Sequence, residues 1–278
     1  MPNDLPLQSP DSHRSISHRE KSPRVYGIIP AAGVGARMEA SCPKQYLMLT
    51  THTILEETLA VFQKSERLDG LYVGIAKEDP YFVLPEKQSF DQADLDCTAP
   101  HRIAIYRTEG GESRAETVFN AMDFILKSAK AVSESEHEAV LKSWALVHDA
   151  ARPGLSSTEL DQFIAAVLTD NHPYGGIMAL PAQDTIKKVG ANNTIEKTLN
   201  RDHIWLAQTP QMMPFELLYT LLAKCLKENA PVTDEASVLE YNERFPKVYR
   251  GYTHNFKITY PGDLELMRLH FKGRERCE

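Results

Sequence analysis

Cysteine is scarce in this 278-residue chain, and its four copies (Cys42, Cys97, Cys225 and Cys277) form neither a CxxC pair nor a metal-ligand pattern. That spacing excludes a zinc ribbon and a dense disulfide framework, and reduced thiols in a cytoplasm are the expected state. Positive charge is also short: 31 Lys and Arg against 38 Asp and Glu leave a formal charge of −7. With that balance general binding to nucleic acid is not expected, and any basic cluster has to be local. No apolar run approaches the length that spans a bilayer, and the first residues lack the apolar core of a signal peptide, so neither a membrane partner nor secretion is expected. Large apolar residues are few in 1–24, a stretch rich in Pro, Ser, His and charge. Such a segment cannot bury enough surface to offset the entropy of ordering, and it reads as a disordered tail. An organellar transit peptide is the competing reading, since Arg and Ser are present, but Asp4, Asp11 and Glu20 count against it.

From Val25 onward, short apolar runs alternate with stretches whose apolar residues recur every three or four positions, the rhythm of strands and helices in an α/β sheet. Val25 to Pro30, Leu71 to Ala76, Ile103 to Tyr106, Trp144 to His148 and Gly176 to Leu180 read as strands. Ile54, Leu55, Leu59 and Phe62 mark one helix face, and Val118, Met122 and Ile125 another. Ser156-x-x-Glu159 is a capping box ahead of the face Leu160, Phe163, Ile164, Val167 and Leu168. Thr185 to Val189 and Thr194 to Leu199, turned by Gly190-Ala191-Asn192-Asn193, read as a two-stranded arm over about 182–203. Helices are expected over 214–228, 234–241 and 261–271, and late strands over 248–250 and 256–259. The stretches 79–100 and 133–138 lack a sustained apolar period and read as surface insertions. The expected architecture is a single α/β domain over 25–278, three-layered and Rossmann-like, with a mainly parallel sheet and a protruding β-hairpin. Ligands of open α/β sheets bind at the carboxyl ends of strands, so 31–37, 110–114 and 149–152 should converge on one crevice.

The strongest local signal is Pro30-Ala31-Ala32-Gly33-Val34-Gly35-Ala36-Arg37-Met38, followed by Cys42-Pro43-Lys44. Small residues let backbone N–H groups approach phosphates, and Arg37 and Lys44 add fixed positive charge where a phosphoryl transition state accumulates negative charge. Met38 occupies the third glycine position of a dinucleotide-binding loop, and the Gly-Lys-Ser/Thr of a P-loop is missing, which disfavours both. A plain strand-to-helix turn with incidental basic residues is the bland alternative. Asp149, at a strand end, suits Mg²⁺ held by one carboxylate plus substrate phosphates and water, or else caps its own loop. His148 reads as a packed side chain rather than a catalyst.

The glycine loop with Lys44-Gln45-Tyr46 resembles that of the sugar-phosphate nucleotidyltransferases, cytidylyltransferase branch. Gly110-Gly111-Glu112-Ser113-Arg114, Val147-His148-Asp149-Ala150-Ala151-Arg152-Pro153, Gln183-Asp184-Thr185, Thr209-Pro210-Gln211, Thr233-Asp234-Glu235-Ala236 and Asn255-Phe256-Lys257-Ile258-Thr259 extend the likeness. Together they are similar to the 2-C-methyl-D-erythritol 4-phosphate cytidylyltransferase family, from about Val25 to Phe271. The resemblance implies CTP and methylerythritol phosphate as substrates, Mg²⁺ on Asp149, and Arg37 with Lys44 stabilising the pentacoordinate phosphorus. It implies that Ala31, Ala32, Gly33, Gly111, Glu112 and Thr117 surround the nucleotide. Arg201 and Lys257 would bind the acceptor phosphate, with Arg152, Thr185 and Thr209 as lesser contacts. Thr117 stands where the family commonly has serine, and His254 precedes Asn255 where relatives often have aspartate. The arm would reach over a partner's site in a homodimer, although a simple surface hairpin is the alternative. A ribitol 5-phosphate cytidylyltransferase and a non-catalytic nucleotide sensor stay open as rival functions; a dinucleotide oxidoreductase is disfavoured by Met38.

Overall fold

The computed structural model describes residues 23–33, 42–82 and 103–274. The expected tail 1–24 lies almost wholly outside these residues, but Arg24 is already part of the fold: its carbonyl accepts from Trp144 N–H at 2.9 Å, and its guanidinium pairs with Glu136. Strand β1 (Val25–Pro30) leads to a 3-10 turn (Lys44–Tyr46), helix α1 (Ile54–Gln63), and strands β2 (Gly70–Ile75) and β3 (Ile105–Glu109). Helices α2 (Arg114–Val132) and α3 (Glu134–Leu141), strand β4 (Trp144–Val147), helix α4 (Ser157–Asp170) and strand β5 (Gly176–Pro181) follow. The hairpin β6 (Ile186–Val189) and β7 (Ile195–Leu199) precedes strand β8 (Trp205–Pro214), helices α5 (Phe215–Lys227) and α6 (Glu235–Tyr241), strand β9 (Lys247–Arg250) and helix α7 (Pro261–Arg274).

The seven-stranded sheet runs β3-β2-β1-β4-β8-β5-β9, with β6 and β7 paired separately. Only β8 is antiparallel to its neighbours, β4 and β5. Successive residues of β1 face opposite sides: Val25 and Ile29 join Phe62, Phe163 and Ile164 on the α1/α4 side, whereas Tyr26 and Ile28 join Val118, Met122 and Leu218 on the α2/α5 side. Burial of both strand faces is what produces three layers. A smaller cluster of Leu49, Ile54, Ile258, Leu264 and Met267 seats α7. Capping boxes start α1 at Thr53 and α4 at Ser156, each satisfying otherwise unpaired N–H groups.

Three local expectations are corrected. Residues 256–259 form no strand: Ile258 is buried against α7 and its N–H donates to Ala151 O at 2.9 Å, but no ladder forms. Residues 133–138 hold Ser133, the N-cap of α3, and the helix's start. The ten-residue β8 has no counterpart in the sequence reading, because Gln208, Thr209, Pro210 and Gln211 interrupt its apolar pattern while lying buried inside the sheet. Part of the expected insertion 79–100, residues 83–100, lies outside the described residues.

Candidate active site

The crevice is built at the carboxyl ends of β1, β2, β3 and β4. Ala31 N–H donates to Gly74 O and Gly110 N–H to Ile75 O, each at 2.8 Å, which seats both loops on the end of β2. A Cβ on Gly110 would stand 2.3 Å from the Ala32 methyl, so the two loops touch where only a hydrogen fits. The buried Gln45 amide donates to Ala31 O at 2.7 Å and to Gly33 O at 3.0 Å, fixing residues 31–33 of the glycine-rich stretch. Its neighbour Lys44 donates to Ile258 O at 2.9 Å, bringing its ammonium beside the segment that carries Lys257. Arg37 lies outside the described residues. On the other wall, Thr117 Oγ1 accepts from Gly111 N–H at 3.0 Å and donates to Ser113 O at 2.9 Å. The Thr117 methyl packs on Gly74, where a Cβ would come within 2.3 Å, so the methyl is accommodated by a glycine. Glu112 is exposed, and its N–H donates to Glu116 Oε2 at 2.7 Å.

Asp149 forms the electrostatic centre and is only 7% exposed. Its Oδ1 accepts from Arg114 Nε at 3.1 Å, and its Oδ2 meets Arg152 Nε at 3.3 Å and Lys257 Nζ at 3.0 Å. Arg114 then forks onto the buried Glu235, at 2.7 and 3.0 Å. Burial alone would raise the pKa of Asp149, but Arg114, Lys257 and Arg152 outweigh it and hold the carboxyl well below the usual range. Three cations around two carboxylates leave one net positive charge, suited to a phosphate-bearing ligand. His148 is sealed inside: burial lowers its pKa to about 4, its Nε2 lies 3.0 Å from Arg152 O, and its Nδ1 lies 3.0 Å from Thr209 Oγ1.

The structure therefore gathers Lys44, Asp149, Arg152, Thr209 and Lys257 at one place, with Ala31 to Gly33 and Gly111 to Thr117 forming the adjoining wall. It does not bring Thr185 and Arg201 to that centre; both are exposed at the arm's root, where Arg201 donates to Gln183 O. Arg114, Glu235 and Gln45 were missed as site residues. Each stands inside a motif already quoted; for Arg114 and Glu235 the available signal was charge, since an arginine at the first position of a helix opposes the helix dipole and is helped by an acid beside it, whereas uncharged Gln45 gave none. Among the described residues no three His, Cys, Asp or Glu side chains gather as a metal cage. A cavity of about 300 Å³, lined by Ser113, Arg114, Glu235, Leu222, Cys225 and Val238, adjoins the Arg114–Glu235 pair. No helix among the described residues is long and apolar enough to cross a membrane.

The family model described as IspD, 2-C-methyl-D-erythritol 4-phosphate cytidylyltransferase, matches residues 25–272. A Pseudomonas entomophila (strain L48) protein of that name is 40% identical over 252 residues, covering 91% of this chain and 97% of the relative. The crystal structure of a 4-diphosphocytidyl-2C-methyl-D-erythritol synthase superposes with a TM-score of 0.68 at 32% identity, covering 90% of this chain and 99% of that one. The Francisella tularensis 2-C-methyl-D-erythritol 4-phosphate cytidylyltransferase structure gives 0.66 at 33% identity, with 89% and 99% covered. Matched in sequence along nearly its whole described length and in the arrangement of its strands, the chain belongs to the 2-C-methyl-D-erythritol 4-phosphate cytidylyltransferase family.

Proposed function

We propose that the protein transfers the cytidylyl group of CTP to 2-C-methyl-D-erythritol 4-phosphate and releases pyrophosphate. The observation that carries this reading is the cationic crevice at the strand ends, where Arg114, Arg152 and Lys257 surround the carboxylate of Asp149 and Lys44 bonds to Ile258 O beside Lys257. The acceptor phosphate is already ionised at neutral pH, so the reaction depends on positioning and charge rather than on a general base. The sealed, neutral His148 fits that division of labour. Lys44, with Arg37, stabilises charge on the α-phosphorus as pyrophosphate departs. Ala31, Ala32, Gly33, Gly111 and Glu112 line the nucleotide, and Thr117 holds the Gly111 wall in place.

Lys257, its side chain 39% exposed, is free to exchange Asp149 for the acceptor phosphate, while Arg114 and Arg152 keep the carboxylate ionised. The donor set fits Mg²⁺ in the form that takes one protein carboxylate and fills its remaining positions with phosphate oxygens and water. Asp149 would hold it, and the ion would neutralise charge on the triphosphate. Thr185 and Arg201 act from the arm on the site of a second subunit. The arm's exposed Val189 and Ile195, with Trp205 and Leu206 at the start of β8, give a homodimer an apolar seam to cover. The free thiols Cys42 and Cys225 suit the reducing cytoplasm in which we expect the enzyme to work.

The test is pyrophosphate release by the purified protein with CTP and Mg²⁺, offering methylerythritol phosphate, ribitol 5-phosphate or no acceptor. Release with methylerythritol phosphate alone is the expected result. Release with ribitol 5-phosphate alone overturns the substrate, and silence with both, despite CTP binding, overturns the activity.

A further inference from the structure

Thr209, expected to touch the acceptor, has its hydroxyl committed elsewhere. The residue is 3% exposed, and its Oγ1 accepts from the backbone N–H of Asp149 at 3.1 Å and lies 3.0 Å from His148 Nδ1. The other ring nitrogen, Nε2, faces Arg152 O at 3.0 Å, and a carbonyl oxygen can only accept, so Nε2 carries the hydrogen. In a neutral ring Nδ1 is then an acceptor, and the Thr209 proton goes to it. Every group has one role: Asp149 N–H to Thr209 Oγ1, Thr209 O–H to His148 Nδ1, and His148 Nε2–H to Arg152 O. The chain of bonds spans the turn closed by Arg152 N–H on Asp149 O at 3.1 Å. Thr209 itself is pinned from the far side, because Asn255 Nδ2 donates to its carbonyl at 2.7 Å while Arg152 Nη1 donates to Asn255 O at 2.9 Å.

We infer that Thr209, through His148, is a positioning residue that fixes the Asp149 turn, and that it makes no contact with the acceptor. Among the described residues, strand β8 is the only antiparallel member of the central sheet, and it delivers this hydroxyl beside the parallel strand β4, which ends at Val147, two residues before Asp149. The inference rests on the proposed cytidylyl transfer for its kinetic readout, and on nothing but the hydrogen bonds for its structural one.

The experiment compares the full-length wild type with Thr209→Val, which keeps the shape and removes the hydroxyl, and Thr209→Ser, which restores it. Steady-state rates with CTP, methylerythritol phosphate and Mg²⁺ should show kcat lowered about 10-fold or more in the valine variant, KM for the acceptor within about two-fold of wild type, and recovery in the serine variant. A valine variant with wild-type kcat overturns the inference. So does a rise confined to the acceptor KM, which would restore direct contact, or a serine variant as poor as the valine one, which would assign the effect to the methyl group. Nitrogen-15 NMR of the histidine rings is the second measurement and needs no turnover. His148 should hold its hydrogen on Nε2 in the wild type and serine variant, with the Nδ1 shift altered in the valine variant; a hydrogen on Nδ1 in the wild type overturns the scheme. A wild type silent in the pyrophosphate assay therefore refutes the proposed function while the NMR result still decides this inference.

Discussion

The Asp149 centre and the hairpin arm contribute to the same proposed site but are built in opposite ways. Around Asp149, each carboxylate oxygen has a cation, Arg114 has a second acid behind it, and the turn is tied to β8 and to Asn255. In the arm, β6 pairs among the described residues only with β7, the cross-strand contacts are surface ones such as Lys188 to Glu196 at 2.6 Å, and Val189 and Ile195 face outward. An isolated two-stranded hairpin is marginal in water, so the arm draws little order from its own chain. Groups that must hold charge against burial are thus preorganised internally, and the arm residues proposed to clasp the acceptor are left to be ordered by something external.

The largest effect should come from breaking the buried centre. Glu235→Ala leaves Arg114 with half its counter-charge in a buried place and should cost about 3–5 kcal/mol of stability, read from urea unfolding. A loss under about 1 kcal/mol would show that the centre does not hold itself together. Next, Lys44→Ala should reduce turnover about 10²–10³-fold with little change in CTP binding under the proposed role of its charge at the transition state; equal losses in both would make it a binding residue. The arm gives the contrasting result. Arg201→Ala should leave the unfolding free energy within about 0.5 kcal/mol of wild type while abolishing most activity. Mixed with Lys44→Ala in equal amounts, it should recover about a quarter of wild-type activity, because half of the dimers carry one intact composite site. Verified mixed dimers with no recovery would remove the arm from its partner's site.

The smallest effect is on pH dependence. Asp149 titrates lower folded than unfolded, so its contribution to stability is full above about pH 4, its ordinary unfolded value, and is lost as pH falls below that. Asp149→Asn should flatten the acid limb of a stability-against-pH curve, whereas Arg201→Ala should leave that limb unchanged. An unaltered limb in the asparagine variant would mean that other carboxylates dominate acid unfolding.

Much of this was legible in the sequence. The alternation of apolar runs located β1, β2, β4 and β5, the capping box at Ser156 opened α4, and the glycine-turned pair gave the arm. The order of motifs pointed to Asp149 and Lys257, whose carboxylate and ammonium lie 3.0 Å apart, and to Lys44, which bonds to Ile258 O next to Lys257. What escaped was non-periodic. The polar residues of β8 are buried because they bond to groups distant in sequence: Gln208 to Tyr252 O at 2.9 Å, and Gln211 to Asp234 at 2.8 Å. A period read along one strand cannot register such partners. The same limit hid Glu235, whose role exists only once α6 brings it against the first residue of α2.

The contact between Gly110 and Ala32 bears on how such a crevice can change over generations. With 2.3 Å between the Ala32 methyl and a Cβ on Gly110, neither loop can gain bulk there unless the other gives way. Enlarging Gly110 alone meets a clash, and with Ala32 trimmed to glycine a Cβ on Gly110 would still stand 3.2 Å from Ile75 O. Descendants of this sequence would therefore be expected to alter the two positions as a linked pair, and a library that varies them singly would search the wrong space.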